Sequence, residues 1–242
     1  MKKIVALLVF VSLSLTTVQA QWFGKRIRGN HNMKEVTRNV GNFDGVGVGG
    51  SFDVKLISGK EGKVTIHAEE NLIPYLITEV KENTLRIRWK RDINIYSHKR
   101  ILVTVPFKAI SKVSLAGSGD VFTENSVVSA ENLKVSLSGS GNLKLAVKAT
   151  GIKSSVSGSG DIYLKGESDN FKASIAGSGD IHAYELKTKN SKLSIAGSGG
   201  IRISTSEMLK ASIAGSGDIY YKGNPKEDVH IAGSGSVVSK ND

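Results

Sequence analysis

The chain has no cysteine, only three prolines and few aromatic side chains, 6% in all. Each shortage removes a class of protein. Without cysteine there can be no disulfide, no thiolate nucleophile and no lipid-modified cysteine anchor. With so few large rings and 27 glycines, the core must be built from stacked Val, Ile, Leu and Ala. That composition favours an elongated all-β form over a rounded globule. Apolar runs are scarce too. The only one of note, Ile4–Leu15, is shorter than the roughly 20 residues a membrane helix needs.

That run has an address-like setting. Lys2 and Lys3 precede it, and Val18-Gln19-Ala20 forms a small-residue cleavage signal before Gln21. Residues 1–20 therefore read as a signal peptide, and the mature chain as exported, periplasmic or cell-surface, and not membrane-spanning. Without Lys2 and Lys3 the chain keeps 31 basic against 22 acidic residues, a net of about +9. An exported protein seldom meets nucleic acid. Anionic glycans, envelope phosphates or an acidic protein face are the expected partners.

The second half is repetitive. Gly-Ser-Gly begins at Gly117, Gly139, Gly158, Gly177, Gly197, Gly215 and Gly233, at gaps of 22, 19, 19, 20, 18 and 18 residues. A near-constant period of this size means one short unit, copied and stacked. In the unit Lys172–Ala183, read as extended chain, Ala173, Ile175, Gly177, Gly179, Ile181 and Ala183 share one face. The alternate set is small and polar, so the first face points inward. These features predict a parallel β-helix or solenoid of about 18–22-residue rungs over 111–242. The paired glycines fit either a sharp corner or a narrow place in the core. Flanking Ser and Asp favour the corner. In the last copy Asp228 replaces the lysine that opens the other six, as terminal repeat units often depart from consensus.

Upstream, residues 21–35 are basic and aperiodic and read as a flexible lead-in. Residues 36–110 form a less regular β-rich part of the same domain, with alternating strands at 52–56, 63–67, 84–89 and 101–105. Glu69–Leu76 is the one candidate helical turn, ended by Pro74. Gly45, Gly47, Gly49 and Gly50 look like a degenerate early copy of the repeat.

Asn42-Phe43-Asp44-Gly45-Val46, Gly50-Ser51-Phe52-Asp53-Val54, the strand around Thr84-Leu85-Arg86-Ile87 and the iterated Gly-Ser-Gly-Asp/Asn-Ile resemble the putative autotransporter adhesin head GIN domain family, exported proteins of Bacteroidetes. The likeness runs from about Phe43 to near the C-terminus. It implies a β-helix-like fold and a periplasmic or cell-surface setting, and it carries no catalytic residues.

Three columns of side chains then offer themselves as sites. After each Gly-Ser-Gly come Asp120, Asn142, Asp161, Asp180, Gly200, Asp218 and Ser236. Asp161 and Asp180 are the pair best placed for Ca²⁺, but free replacement by Asn, Gly and Ser makes a turn cap the stronger reading, with no cofactor expected. Lys112, Lys134, Lys153, Lys172, Lys192 and Lys210 recur at one position. They suit either a track for an acidic polysaccharide or a solvated guard against aggregation. Phe122, Lys144, Tyr163, His182, Arg202, Tyr220 and Val238 form a mixed aromatic and basic strip, fit for sugar contacts or for mutual packing. With the lysines this strip makes an expected adhesive face.

Enzyme readings are weaker. The five histidines lack metal-ligand spacing, and seven equivalent serines argue for architecture over a nucleophile. The sequence thus points to a non-enzymatic adhesin binding an anionic glycan or envelope polymer. An envelope scaffold binding another protein, or a polysaccharide lyase or hydrolase, are the alternatives.

Overall fold

The computed structural model describes residues 25–241, and the signal segment read at 1–20 lies outside them. Among the described residues, nine strands precede the repeat: β1 (Lys25–Arg28), β2 (Met33–Asn39), β3 (Gly45–Gly50), β4 (Asp53–Ser58), β5 (Lys63–Glu69), β6 (Leu76–Lys81), β7 (Thr84–Trp89), β8 (Ile93–Tyr96) and β9 (Leu102–Phe107). The helical element among the described residues is one 3-10 turn at Ile73–Tyr75, inside the stretch expected to turn. The repeat supplies β10 (Lys112–Gly117), β11 (Asp120–Thr123), β12 (Val128–Gly139), β13 (Asn142–Gly158), β14 (Asp161–Gly177), β15 (Ile181–Gly197), β16 (Gly200–Gly215), β17 (Asp218–Lys222), β18 (Lys226–Gly233) and β19 (Ser236–Ser239).

Consecutive copies pair in parallel and in register, giving a β-solenoid of about 7 turns. β3 joins it residue for residue, from Gly45 beside Lys112 to Gly50 beside Gly117. The early copy inferred from the glycines is therefore the first rung. Inward residues are buried as the alternation requires: Phe171, Ala173, Ile175, Ile181 and Ala183 are all in the core. Fully burying one such aliphatic side chain stabilises by about 1.5–3 kcal/mol, and every rung contributes several.

The Gly-Ser-Gly corner has two physical causes, one for each glycine. Gly177 has φ +131°, a backbone region that side chains disfavour. Gly179 needs no such angle; a Cβ there would lie 2.1 Å from the Gly160 carbonyl oxygen and 2.9 Å from Val156 Cγ1 in the rung before. The close approach is thus to the stacked neighbour, and not to an opposite wall. A shared acceptor accompanies this contact. Gly158 O accepts the N–H of Ser178 at 2.9 Å and of Gly179 at 3.1 Å. The pattern recurs at the other Gly-Ser-Gly corners except that of Gly215, where Gly197 O accepts the Ser216 N–H alone. At the first corner no Gly-Ser-Gly precedes, and Phe52 takes the third place, packed edge to face on Trp89 at 5.4 Å.

Each turn closes through a second bend, where inward parity shifts between Ser168 and Phe171. Buried hydroxyls tie it. Ser168 Oγ donates to the Asn170 carbonyl, and Thr188 and Ser191 share a hydrogen bond of 2.9 Å. Rung length varies on the approach to this bend, as in the one-residue register shift of β15 against β14 between Tyr163 and Gly166.

The N-terminal end is closed by strands of both directions. β7 lies parallel to β3 and β9 parallel to β4, while β5, β2 and β6 run antiparallel to their partners. Arg38 of β2 donates to the carbonyls of Ile73 and Leu76. Its half-burial lowers the guanidinium pKa. For residues 25–35 this corrects the reading of 21–35 as a flexible lead-in: β2 starts at Met33, and β1 pairs in parallel with β8. The correction has a simple cause, because pairing with distant strands leaves no local period. Trp22 and Phe23 fall outside the described residues.

The C-terminal end is open but guarded. Val229 and Ile231 are 36% and 44% exposed, whereas Ala211 and Ile213 beside them are 4% and 1% exposed. Glu227 occupies an inward column beside buried Leu209 and accepts the Tyr221 hydroxyl. An inward charge on an edge strand opposes further pairing. Among the described residues, no helix is long and apolar enough to cross a membrane.

Replacing Gly179 by Ala is expected to cost about 3 kcal/mol or more, because backbone must move to admit the methyl group. Ala176→Ser, in an exposed column where Ser138 and Ser157 already stand, should stay within about 0.5 kcal/mol. Urea unfolding of the two variants checks the contrast.

Candidate binding surface

Register places the six lysines in one file: Lys112, Lys134, Lys153, Lys172, Lys192 and Lys210 stand beside one another on successive rungs. Asp228 ends the file, 3.7 Å from Lys210. Among the described residues that is the file's only ion pair, so the other five ammonium groups face solvent without a carboxylate. A shallow groove of about 420 Å³ follows Lys153, Lys172, Lys192 and Lys210 over a floor of Ile152 and Phe171, with Asn170 and Asn190 along it. Strands supply this surface because alternation sends lysine outward while Val, Ala and Leu between them go in.

The aromatic and basic strip also forms a file, running Phe122, Lys144, Tyr163, His182, Arg202, Tyr220, Val238. Its contacts run along the solenoid. Lys144 Nζ lies 5.6 Å from the Tyr163 ring centre, and Tyr163 and His182 stack at 4.4 Å and 9°. Arg202 Nη1 reaches His182 Nδ1 at 3.3 Å and Asp180 at 3.0 Å, and Arg202 and Lys240 both sit over Tyr220. The Tyr163 and Tyr220 rings are therefore covered by neighbours of the same file, and one face of His182 is taken by Tyr163. Burial, then the Arg202 charge, lowers the His182 pKa against the pull of Asp180 and Asp161. Burial and the nearby Asp161 raise that of Tyr163.

The two files do not merge. Lysines precede the Gly-Ser-Gly corner and the rings follow it, so the corner divides the expected adhesive face into two walls. Each wall has its own groove: that beside Tyr163, His182, Tyr184 and Arg202 is about 450 Å³ and contains none of the six lysines.

The carboxylate file has a structural task, though not the one expected. Each Asp caps the following rung, and not its own turn. Asp53 Oδ1 accepts Asp120 N–H at 2.9 Å, Asp161 Oδ1 accepts Asp180 N–H at 2.9 Å, and Asp180 Oδ1 accepts Gly200 N–H at 2.7 Å. Asp120 and Asp218 do the same for Asn142 and Ser236. The second oxygens of Asp161 and Asp180 meet the Tyr163 hydroxyl and Arg202. Among the described residues, no group of three or more His, Cys, Asp or Glu is arranged to hold a metal ion.

These features agree with what the chain resembles. Residues 42–225 match the family described as putative auto-transporter adhesin, head GIN domain. The chain belongs to the head GIN domain family. Its fold recurs in crystal structures of a putative adhesin from Bacteroides fragilis (TM-score 0.82, 23% identity, covering 88% of this chain and all of that one) and of a putative adhesin from Parabacteroides distasonis (0.72, 24%, 89% and 100%). Another Parabacteroides distasonis structure, of a putative lipid binding protein, gives TM-score 0.74 at 26% identity, over 89% of this chain and 100% of that one. No curated protein matches the chain. This head GIN chain also carries an aromatic and cationic cluster at its N-terminal end, around Tyr96. Sequence reasoning passed over it, and the dense basic residues of 25–28 and 90–100 were the available signal.

Asp218 gives the carboxylate file a pH signature. The hydrogen bond from the Ser236 hydroxyl outweighs burial and, with those from Ser236 N–H and the Tyr220 hydroxyl, holds the folded pKa below the unfolded one. Its stabilisation is then complete above the unfolded value of about 3.9 and is lost as pH falls through the lower folded value. Asp218→Asn should remove that part of the acid sensitivity, measured as urea midpoint against pH for variant and parent.

Proposed function

We propose that the protein is an exported, non-enzymatic adhesin that holds an anionic glycan or cell-envelope polymer along its lysine file. The observation that carries this reading is the register of six lysines, five of them without an ion pair among the described residues. Rungs about 4.8 Å apart make a straight row of charge that a flexible or folded surface seldom maintains. Such a row repels itself, and a polyanion laid along it relieves the repulsion at every rung. The net positive charge adds long-range attraction. Membership of a family described by adhesion, the signal-like segment at 1–20 and the shallow, extended groove support the same role. In this reading the lysine wall makes the main contact and the aromatic wall is a self-packed brace, which the separation of the two files at the corner supports.

Retention on an immobilised acidic polysaccharide should be strong at low salt and fall as salt screens the row. Converting Lys153, Lys172 and Lys192 to Glu should abolish it while leaving the unfolding midpoint nearly unchanged, since all three side chains are exposed. Unaltered retention would reject the reading. Because one neighbouring structure is described as lipid binding, anionic vesicles belong in the same experiment; binding to them alone would move the ligand class from glycan to lipid.

A further inference from the structure

The molecule has six tyrosines, and five are accounted for. Tyr75, Tyr163, Tyr184 and Tyr220 each carry a lysine or arginine over the ring at 5.3–5.8 Å. Tyr221 is buried against Glu227. Tyr96 alone is 56% exposed, and among the described residues no cation covers it. Among the described residues its one ring contact is His98, edge to face at 5.1 Å, and at least one face of the phenol is left open by them.

The surroundings are built and cationic. Tyr96 lies beside Arg28 in the β1–β8 pair, and Arg26 lies beside Asn94, so alternation puts all four side chains on the outer face. Ile27 and Ile95 turn the other way and pack on the core. His31 stacks on His98 at 4.1 Å. Both loops are held from below by Glu69, a buried carboxylate that accepts the backbone N–H of His31 at 2.7 Å, that of His98 at 2.9 Å and the Ser97 hydroxyl at 2.6 Å. Burial pushes the Glu69 pKa up, but those hydrogen bonds outweigh it and the net shift is downward. Among the described residues, Arg26, Arg28 and Lys99 have no carboxylate partner, whereas Arg100 is paired with Asp53.

We infer that this platform is a subsite for an acidic sugar residue, the ring stacking on the open face of Tyr96 and its carboxylate taken by Arg28, Arg26 and Lys99. An aromatic face supplies apolar contact with sugar C–H groups. A guanidinium matches a carboxylate with two parallel hydrogen bonds. The lysine file provides charge without rings, and in the aromatic file Tyr163, His182 and Tyr220 are already stacked or covered by a cation. Among the described residues, only at Tyr96 are an uncovered ring and unpaired guanidinium groups neighbours. The inference rests on the glycan-binding reading above and adds a second, more selective contact at the N-terminal end.

The full chain is tested on immobilised polygalacturonate, a homopolymer of uronate, with phosphatidylglycerol vesicles as the second probe. Tyr96→Ala should weaken polygalacturonate binding about tenfold, Tyr96→Phe should keep most of it, and Arg26→Gln with Arg28→Gln should flatten its salt dependence. Thermal midpoints should stay close to the parent's, because these side chains are exposed. If Tyr96→Ala binds like the parent while the triple lysine variant fails, the subsite is overturned and the lysine reading survives. If the parent binds no polygalacturonate, both are overturned. Tyr96-dependent binding to vesicles in place of polygalacturonate would overturn the sugar subsite in favour of a lipid surface.

Discussion

At every Gly-Ser-Gly corner but that of Gly215, one carbonyl oxygen of a rung accepts two successive N–H groups from the rung that follows, and this seam sets the geometry of the molecule. The stacked backbones lie so close at the corner that no side-chain carbon fits at the third position of these copies, and glycine is required there. Register follows, because a slip of one residue would bring a Cβ into the seam. From register come the files, and from the files comes every surface property discussed. The corner is therefore the constraint on which core, charge rows and ring stack all depend.

The carboxylates reinforce the same seam from the outer side. Each takes the amide that opens the next strand, so two kinds of acceptor, carbonyl and carboxylate, hold successive rungs at one corner. Where Asn142 stands in the file, the next amide, that of Asp161, turns to the Gly141 carbonyl instead. That tolerance explains why Asn, Gly and Ser can enter the column. It also explains why a row of acids in a basic protein need not signal a metal: one oxygen of each already accepts the next rung's amide.

Much of this was legible in the residues. Seven spaced Gly-Ser-Gly copies gave the parallel stack, its rung length and the lysine row, because each depends on period alone. The function of the second glycine was legible only in part, since the stacked carbonyl that excludes a side chain belongs to another rung. Rotamers were not legible at all, and they decide that Tyr163 and His182 spend their faces on each other. The β1–β8 pair was missed for a different reason. Lys25–Arg28 pairs with residues almost seventy positions away, and four charged or alternating residues carry no period by themselves. Glu69 likewise reads as one more acid at the end of a strand until two distant loops converge on it.

The second bend has a bearing on how such a molecule can change. Departures from constant rung length fall on the approach to it, between Tyr163 and Gly166 and between Ala183 and Lys187, or at the bend itself, between Thr188 and Asn190, while the glycine corner keeps its alignment from Gly50 to Gly233. The solenoid thus has one seam that is locked and one that is permissive. Insertions on the permissive side can lengthen or reshape a rung locally and leave the opposite edge undisturbed. Lineages can therefore diversify one flank of the rod freely, while the spacing of its charge rows is inherited intact.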